Sequence, residues 1–468
     1  MRRSLHVAVR RTAAAVVAAG CAVGLAVGLV AGSGPAAAVG PGDWPAYLGG
    51  PAHTSRSAGT AITPANAPSL TQKWHFDIPY VSSPVVADGS VFLGSFAGYF
   101  YKINAVTGIR QKKIFLGFQP ALTCPKFGFA STATVARDPS TGQDTVYVAA
   151  PDGYLYALNA TTLTQVWRSP IAIPSKTVSD YFSWSSPTVS HGKIYVGIAS
   201  NCDTPLVRGG VAAFNQATGN RTATFYTVPA GQVGGSVWST VAVDGSGNVY
   251  ATTGNGPAGA QRYQTIDILK LSPALKLLAK FAVPPAEVTG DGDFGGSPTL
   301  FTAMINGTST PMVGACNKNG IFYALQRSTM AKVWQTRIGV KSSDKVMGQC
   351  QSAAAFDGTW LYMAGPGVTI GGTAFRGSVA RLDPATGVIT WQTGLPNGVL
   401  TSPSIDGAGV IAAGTYDNSG VPNETYLFDA SDGALLAQLD QGNDFPQSAF
   451  ANGWLYTASS TGLYAWGP

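Results

Sequence analysis

A chain of 468 residues of which only 11% are charged lies far below the roughly 25% charge of an average soluble domain, and its 58 Gly and 30 Pro indicate a turn-rich β protein. The formal charge of +6 is mostly N-terminal: four of the 29 Lys and Arg precede residue 39 and no acid does, leaving 25 against 23. So even a balance gives no electrostatic case for nucleic acid or an anionic membrane as partner.

Residues 1–38 read as a secretory leader. Arg2, Arg3, Arg10 and Arg11 form a basic start, Ala13 to Val30 is apolar, and Ala36-Ala37-Ala38 offers a cleavage site, so the mature chain is expected to begin near Val39 and to be secreted. Nothing beyond Arg10-Arg11 supports a twin-arginine signal. The Cys21 context resembles a lipidation site, but the apolar run continues past it, which favours ordinary cleavage further on. No other apolar run is long enough to span a bilayer. Next comes DWPA at Asp43, followed by GGPAHTSRSAGTA, expected as an arm lying over the main fold.

From Tyr80 onward the chain repeats. One phrase reads INAVTGIRQKK at Ile103, LNATTLTQVW at Leu158, FNQATGNRTATF at Phe214, LQRSTMAKVW at Leu325, LDPATGVITW at Leu382 and FDASDGALLAQL at Phe428. Its turn residues Gly108, Leu163, Gly219, Met330, Gly387 and Gly433 are 55, 56, 111, 57 and 46 apart, and a degenerate copy from Leu271 fills the double interval. Alternating apolar runs bounded by Gly, Asp-Gly and Asn-Gly turns predict four short antiparallel strands per copy. One such sheet cannot bury both faces, so the copies must stack, and radial stacking gives a β-propeller. Seven complete units reach about Gly442. Three further strands at the C-terminus lack a fourth, which LTQKWHFDI around Trp74 supplies. The expectation is one all-β domain over 39–468: an eight-bladed propeller closed by its N-terminal strand.

Four Cys remain after the leader: Cys124, Cys202, Cys316 and Cys350. In an exported chain they read as two disulfides, Cys124 with Cys202 and Cys316 with Cys350 by order along the chain, with buried free thiols as the alternative. The absence of CxxCH excludes a covalent c-type haem within the chain. His6, His53, His75 and His191 are too scattered to suggest a metal cluster or a Ser/His/Asp triad.

Chemistry concentrates between Gly290 and Leu325. Asp291 and Asp293 precede the strand-like SPTLF, and Lys318 follows PMVGAC. If these strands pair antiparallel, carboxylates and ammonium emerge at the same end of one sheet. The plain alternative is two Asp capping a turn and a solvated Lys.

The phrase [I/L/F]-[N/D]-A-x-T-G-x-x-x-W resembles the tryptophan-docking repeat of quinoprotein alcohol dehydrogenase-like propellers, over nearly all of the mature chain. It implies structural roles for Trp167, Trp334 and Trp391. In that family pyrroloquinoline quinone stacks on a Trp floor at the ring axis, a calcium or lanthanide ion polarises its carbonyl, and an Asp removes the alcohol proton. By this resemblance GGSVWSTVAVDGSGNVYATTGN supplies Trp238 as floor and Asn255 as metal ligand. GDGDFGGSP supplies Asp293 as base and metal neighbour, with Asp291 as second candidate, and Lys318 stands beside the quinone oxygens. DFGGSP further resembles the branch that oxidises polyvinyl alcohol. Two features depart from the family: the third-blade metal Glu is missing, with only Asp203 to substitute, and Cys124 has no adjacent Cys to form the family's covering disulfide. A hard cation would be held more weakly by the reduced set.

The resemblance therefore implies a secreted dehydrogenase that oxidises a small-molecule or polymeric alcohol and passes electrons to an external acceptor. The other reading is a non-catalytic binding or scaffold propeller, like the envelope lipoprotein that assists outer-membrane barrel assembly. Carbohydrate binding is a third.

Overall fold

The computed structural model describes residues 40–468 apart from 41, 120–126, 179, 258, 260, 289, 340–348, 417–419 and 443–444. The expected leader, Cys21 and Cys124 lie outside the described residues. No described helix is long and apolar enough to cross a membrane.

The repeats fold as eight antiparallel blades. Blade 1 runs through Val85–Ala87, Ser90–Gly94, Tyr99–Asn104 and Arg110–Phe115; blade 2 begins at Thr134–Arg137 and blade 3 at Thr188–Ser190. Blade 4 comprises Ala242–Val243, Val249–Thr252, Asp267–Leu271 and Leu277–Ala282. Blade 5 comprises Thr299–Ile305, Thr308–Cys316, Ile321–Gln326 and Lys332–Arg337. Blade 6 begins at Ala355–Phe356, blade 7 at Ser404–Ile405 and blade 8 at Ala449–Ala451. Thr71–Asp77 pairs antiparallel with Gly462–Gly467, so the N-terminal strand completes blade 8 as expected. The ring is an eight-bladed β-propeller.

The recurring phrase explains itself locally. The side-chain oxygen of Asn104 accepts the N–H groups of Val106 and Thr107 at 3.0 and 2.8 Å, and Asn159, Asn215, Asp383 and Asp429 cap the equivalent turns. A short polar side chain thus replaces a backbone acceptor at each outer hairpin. The Gly after it provides a seat. A Cβ on Gly108, Gly219 or Gly433 would lie 2.5–2.7 Å from the indole of Trp74, Trp167 or Trp391. Where the turn residue is Leu163, Leu275 or Met330, it keeps a positive φ of 57–60°, at a cost of about 1–2 kcal/mol. Its side chain is then buried in the apolar cluster that Ile114, Phe225 or Phe281 also packs against. The degenerate copy from Leu271 is therefore a true repeat, with the glycine seat exchanged for a buried Leu275.

The segment from Trp44 to Ser55 bonds to most of the ring. Trp44 exchanges backbone hydrogen bonds with Val86, and the carbonyls of Pro45, Pro51, Ala52, Thr54 and Ser55 accept from Val135, Val243, Leu300, Phe356 and Ile405. Leu48 N–H donates to Gln447 Oε1. Blades 1, 2 and 4 to 8 are each tied to this one segment.

Candidate functional site

The strands Thr299–Ile305 and Thr308–Cys316 are antiparallel neighbours, so the residues before the first and after the second meet at one end of blade 5. Lys318 Nζ lies 2.6 Å from Asp293 Oδ1 and 3.0 and 3.2 Å from the two oxygens of Asp291. The backbone supports this, with Lys318 N–H donating to Asp293 O and Asn317 Nδ2 to Gly292 O. From blade 4, Trp238 Nε1 donates to Asp293 Oδ2 at 3.0 Å, and Asn255 Nδ2 to Asp291 Oδ1 at 2.8 Å. The ammonium also stands 5.1 Å from the Trp238 ring centre. Five of the six expected residues thus form one cluster.

Asp203 does not join it. Exposed, with φ 57°, it accepts from its neighbour Ser200. Among the described residues no three His, Cys, Asp or Glu side chains gather as a metal site.

The two carboxylates differ in environment. Burial dominates at Asp293, which is 2% exposed, and pushes its carboxyl above the usual range despite the Lys318 charge. At Asp291 burial also acts upward, but Lys318, Asn255 and Gln349 outweigh it and hold the carboxyl below that range. Lys318 is raised: burial would lower it, and the two Asp charges prevail. The two carboxylates are thus pushed in opposite directions by their surroundings. Both oxygens of Asp293 are engaged, Oδ1 by the Lys318 ammonium and Oδ2 by the Trp238 N–H.

Beside this cluster the axis opens into a cavity of about 520 Å³. Trp238 forms part of its wall, standing on Gly295, where a Cβ would lie 2.7 Å from the ring. Across blades 1 to 3 the wall is aromatic: Tyr80 stacks on Phe96 at 5.7 Å, Phe96 meets Phe127 at 5.3 Å, and Phe127 meets Trp184 at 5.6 Å. A ring of hydroxyls lines the same space. Ser186, Thr240, Ser297, Ser402 and Ser83 each accept a backbone N–H from an adjoining blade at 2.9–3.0 Å. Each of these oxygens is thus engaged as an acceptor, and Ser297 and Ser402 also bond to the hydroxyl of Tyr47. Tyr47, from the arm, also faces the cavity, and none of the described lining side chains is charged.

These residues fit a flat, oxygen-rich group. The indole gives a face, and hydroxyls and the Lys318 ammonium stand nearby as polar partners. For a hard cation the set is thinner: Asn255, Asp291 and Asp293 offer fewer oxygens than the six to eight that calcium takes, and Lys318 already lies between the carboxylates.

The hydroxyl ring, the aromatic wall, Tyr47 and the Gln349 contact to Asp291 were not anticipated. The recurring Ser or Thr at the start of each blade carried a signal for the ring, since hydroxyls returning at every innermost strand must face one axis.

The PQQ_2 family, described as outer membrane protein assembly factor BamB, matches residues 126–275 and 318–466. The chain belongs to this family of propellers. Quinohemoprotein alcohol dehydrogenase ADH IIB of Pseudomonas putida is 26% identical over 57% of this chain and 43% of its own length. Polyvinylalcohol dehydrogenase of a Pseudomonas species is 24% identical over 86% of this chain and 68% of its own. The solved quinohemoprotein alcohol dehydrogenase of Comamonas testosteroni superposes with a TM-score of 0.71 at 18% identity, covering 92% of this chain and 81% of that one. The chain spans less than half the length of the first curated relatives it matches.

Proposed function

We propose that the protein is a secreted quinoprotein-type dehydrogenase that oxidises an alcohol and passes the electrons to an external acceptor. The observation that carries this reading is the opposed pair of carboxylates, bridged by Lys318 and pinned by Trp238, at the edge of an axial cavity. Pyrroloquinoline quinone, when bound with calcium or a lanthanide ion, supplies the two-electron oxidising chemistry and Lewis acidity. Trp238 would carry the flat face of the quinone, and Asn255, Asp291 and Asp293 would hold the cation.

The chain's own residues account for the proton. Asp293 takes the hydroxyl proton on its carboxylate, since burial makes it the more basic of the two. Lys318 holds that carboxylate in place, while Asp291, kept ionised by its three donors, balances the ammonium. The aromatic wall of blades 1 to 3 accommodates the carbon skeleton of a small or polymeric alcohol and helps exclude water.

Two observations favour the non-catalytic alternative, a binding or scaffold propeller: Asp203 stays outside the cluster, and Lys318 fills the place between the carboxylates. The test is to add the quinone with calcium to the purified protein and record the absorption spectrum and dye reduction with a panel of alcohols. The dehydrogenase reading expects a perturbed quinone spectrum and alcohol-dependent reduction. An unperturbed spectrum at micromolar quinone would leave the scaffold reading standing.

A further inference from the structure

Nearly every side chain in the charge cluster belongs to blades 4 and 5. Gln349 is the exception. It precedes blade 6, is buried, and donates Nε2 to Asp291 Oδ2 at 3.2 Å. Its Oε1 in turn accepts from Gln351 Nε2 at 3.2 Å, and Gln351 packs beside Gly295 in the cavity wall next to Trp238. A covalent link brings this segment across the blade boundary. Cys316, which ends the strand Thr308–Cys316, is disulfide-bonded to Cys350, and both are fully buried. Asn317 and Lys318 follow Cys316 directly, and Gln349 directly precedes Cys350. The cross-link therefore has one arm ending in Lys318 and another ending in Gln349, and both converge on Asp291.

Asp291 is the residue that needs such support. Its side chain is 36% exposed and sits between Gly290 and Gly292, so packing does little to fix its rotamer. Asp293, by contrast, is held by burial and by the Trp238 donor. Asn255 holds Oδ1 of Asp291, Lys318 reaches both oxygens, and Gln349 adds a second donor at Oδ2 from a different blade.

We propose that Gln349 is a positioning residue for Asp291 and that the Cys316–Cys350 disulfide is the strap that places it there, making blade 6 a third contributor to the site. This deepens the dehydrogenase reading and rests on it for its functional meaning, while the geometry can be tested without quinone. Partners that orient a metal-ligating carboxylate typically change cation affinity by about 10–100-fold when removed.

The first measurement is hydrogen exchange of the purified protein, with neither quinone nor cation added. Gln349→Leu, and Gln349→Glu, which matches the length of Gln but at neutral pH cannot donate, should each accelerate exchange in residues 290–294 roughly fivefold. The rest of blades 5 and 6 and the melting temperature should stay as in the parent protein. Removing the strap with Cys316→Ser and Cys350→Ser should give the same local signature, and the Gln349 variants decide the matter if that pair fails to fold. The second measurement is a terbium titration followed by Trp-sensitised luminescence, in which Gln349→Leu should weaken binding about tenfold. Parental exchange at 290–294 in Gln349→Leu, or parental exchange in Gln349→Glu, would overturn the proposal. Failure of the parent protein to bind terbium would instead remove the cation from the proposed function, and exchange would still decide the role of Gln349.

Discussion

Trp334 and Trp238 use the same seat for different ends. Trp334 lies on the outer strand of blade 5, stands on Gly387, and donates Nε1 to the backbone carbonyl of Pro384 at 2.9 Å. Trp238 lies on the inner side of blade 4, stands on Gly295, and donates Nε1 to the carboxylate of buried Asp293 at 3.0 Å. Stacking an indole on a glycine is how this ring packs, and it says nothing about chemistry. The partner of the N–H separates the two: a neutral carbonyl completes a dock, whereas a buried carboxylate ties the ring to a titratable group whose charge is costly to hold.

The comparison can be broken first at the rim. Deleting residues 66–78 removes Trp74 and the strand that completes blade 8, exposing an unpaired edge and the Gly108 seat. The melting temperature should fall by about 10 °C or more, and an unchanged melting curve would refute closure by this strand. Point changes then separate rim from axis. Asp293→Asn should leave the melt nearly unchanged and quinone binding intact, while cutting alcohol-dependent dye reduction by about a thousandfold. Trp334→Ala should do the reverse, costing about 3–5 kcal/mol of stability in denaturant titration without altering the spectrum of bound quinone. Equal activity of Asp293→Asn would take the proton-accepting role away from that residue.

A smaller effect lies beneath the arm. Burial pushes the carboxyl of Asp406 up to about 6, with only the Ala408 N–H acting to lower it. A folded-state value above the unfolded one favours folding when the group is protonated. The contribution is complete below about pH 4 and is lost as pH rises through 6. Asp406→Asn keeps an acceptor for the turn and cannot titrate, so between pH 4 and 7 the parent protein should lose about 2 kcal/mol relative to the variant. Parallel stability curves would place the titration elsewhere.

How much of this could be read in advance follows from how local each signal is. The outer hairpins were legible because Asn104, Thr107 and Gly108 solve one turn within five residues, and the solution recurs. Pairing of Thr299–Ile305 with Thr308–Cys316 was legible from two adjacent apolar runs, and it carried Asp291, Asp293 and Lys318 to one end. Cys316 and Cys350 bridge as expected from chain order. Cys202 is disulfide-bonded too, while the Cys124 expected opposite it lies outside the described residues. The contact of Gln349 with Asp291 was not legible, because it depends on a side-chain rotamer across a blade boundary 58 residues away. The aromatic wall was hidden for a related reason: Tyr80, Phe96, Phe127 and Trp184 become neighbours only once three blades are set around an axis.

The pairing of Thr71–Asp77 with Gly462–Gly467 also orders events during biosynthesis. A ribosome delivers the first of these strands nearly 400 residues before its partner, and the arm ahead of it meets the blades it bonds to one by one. Until Gly462–Gly467 emerges, the earliest strand has no mate and carries a bare row of amide and carbonyl groups, open to pairing with another nascent copy. Loss of Gly462–Gly467 would thus also undo the strand at Thr71–Asp77.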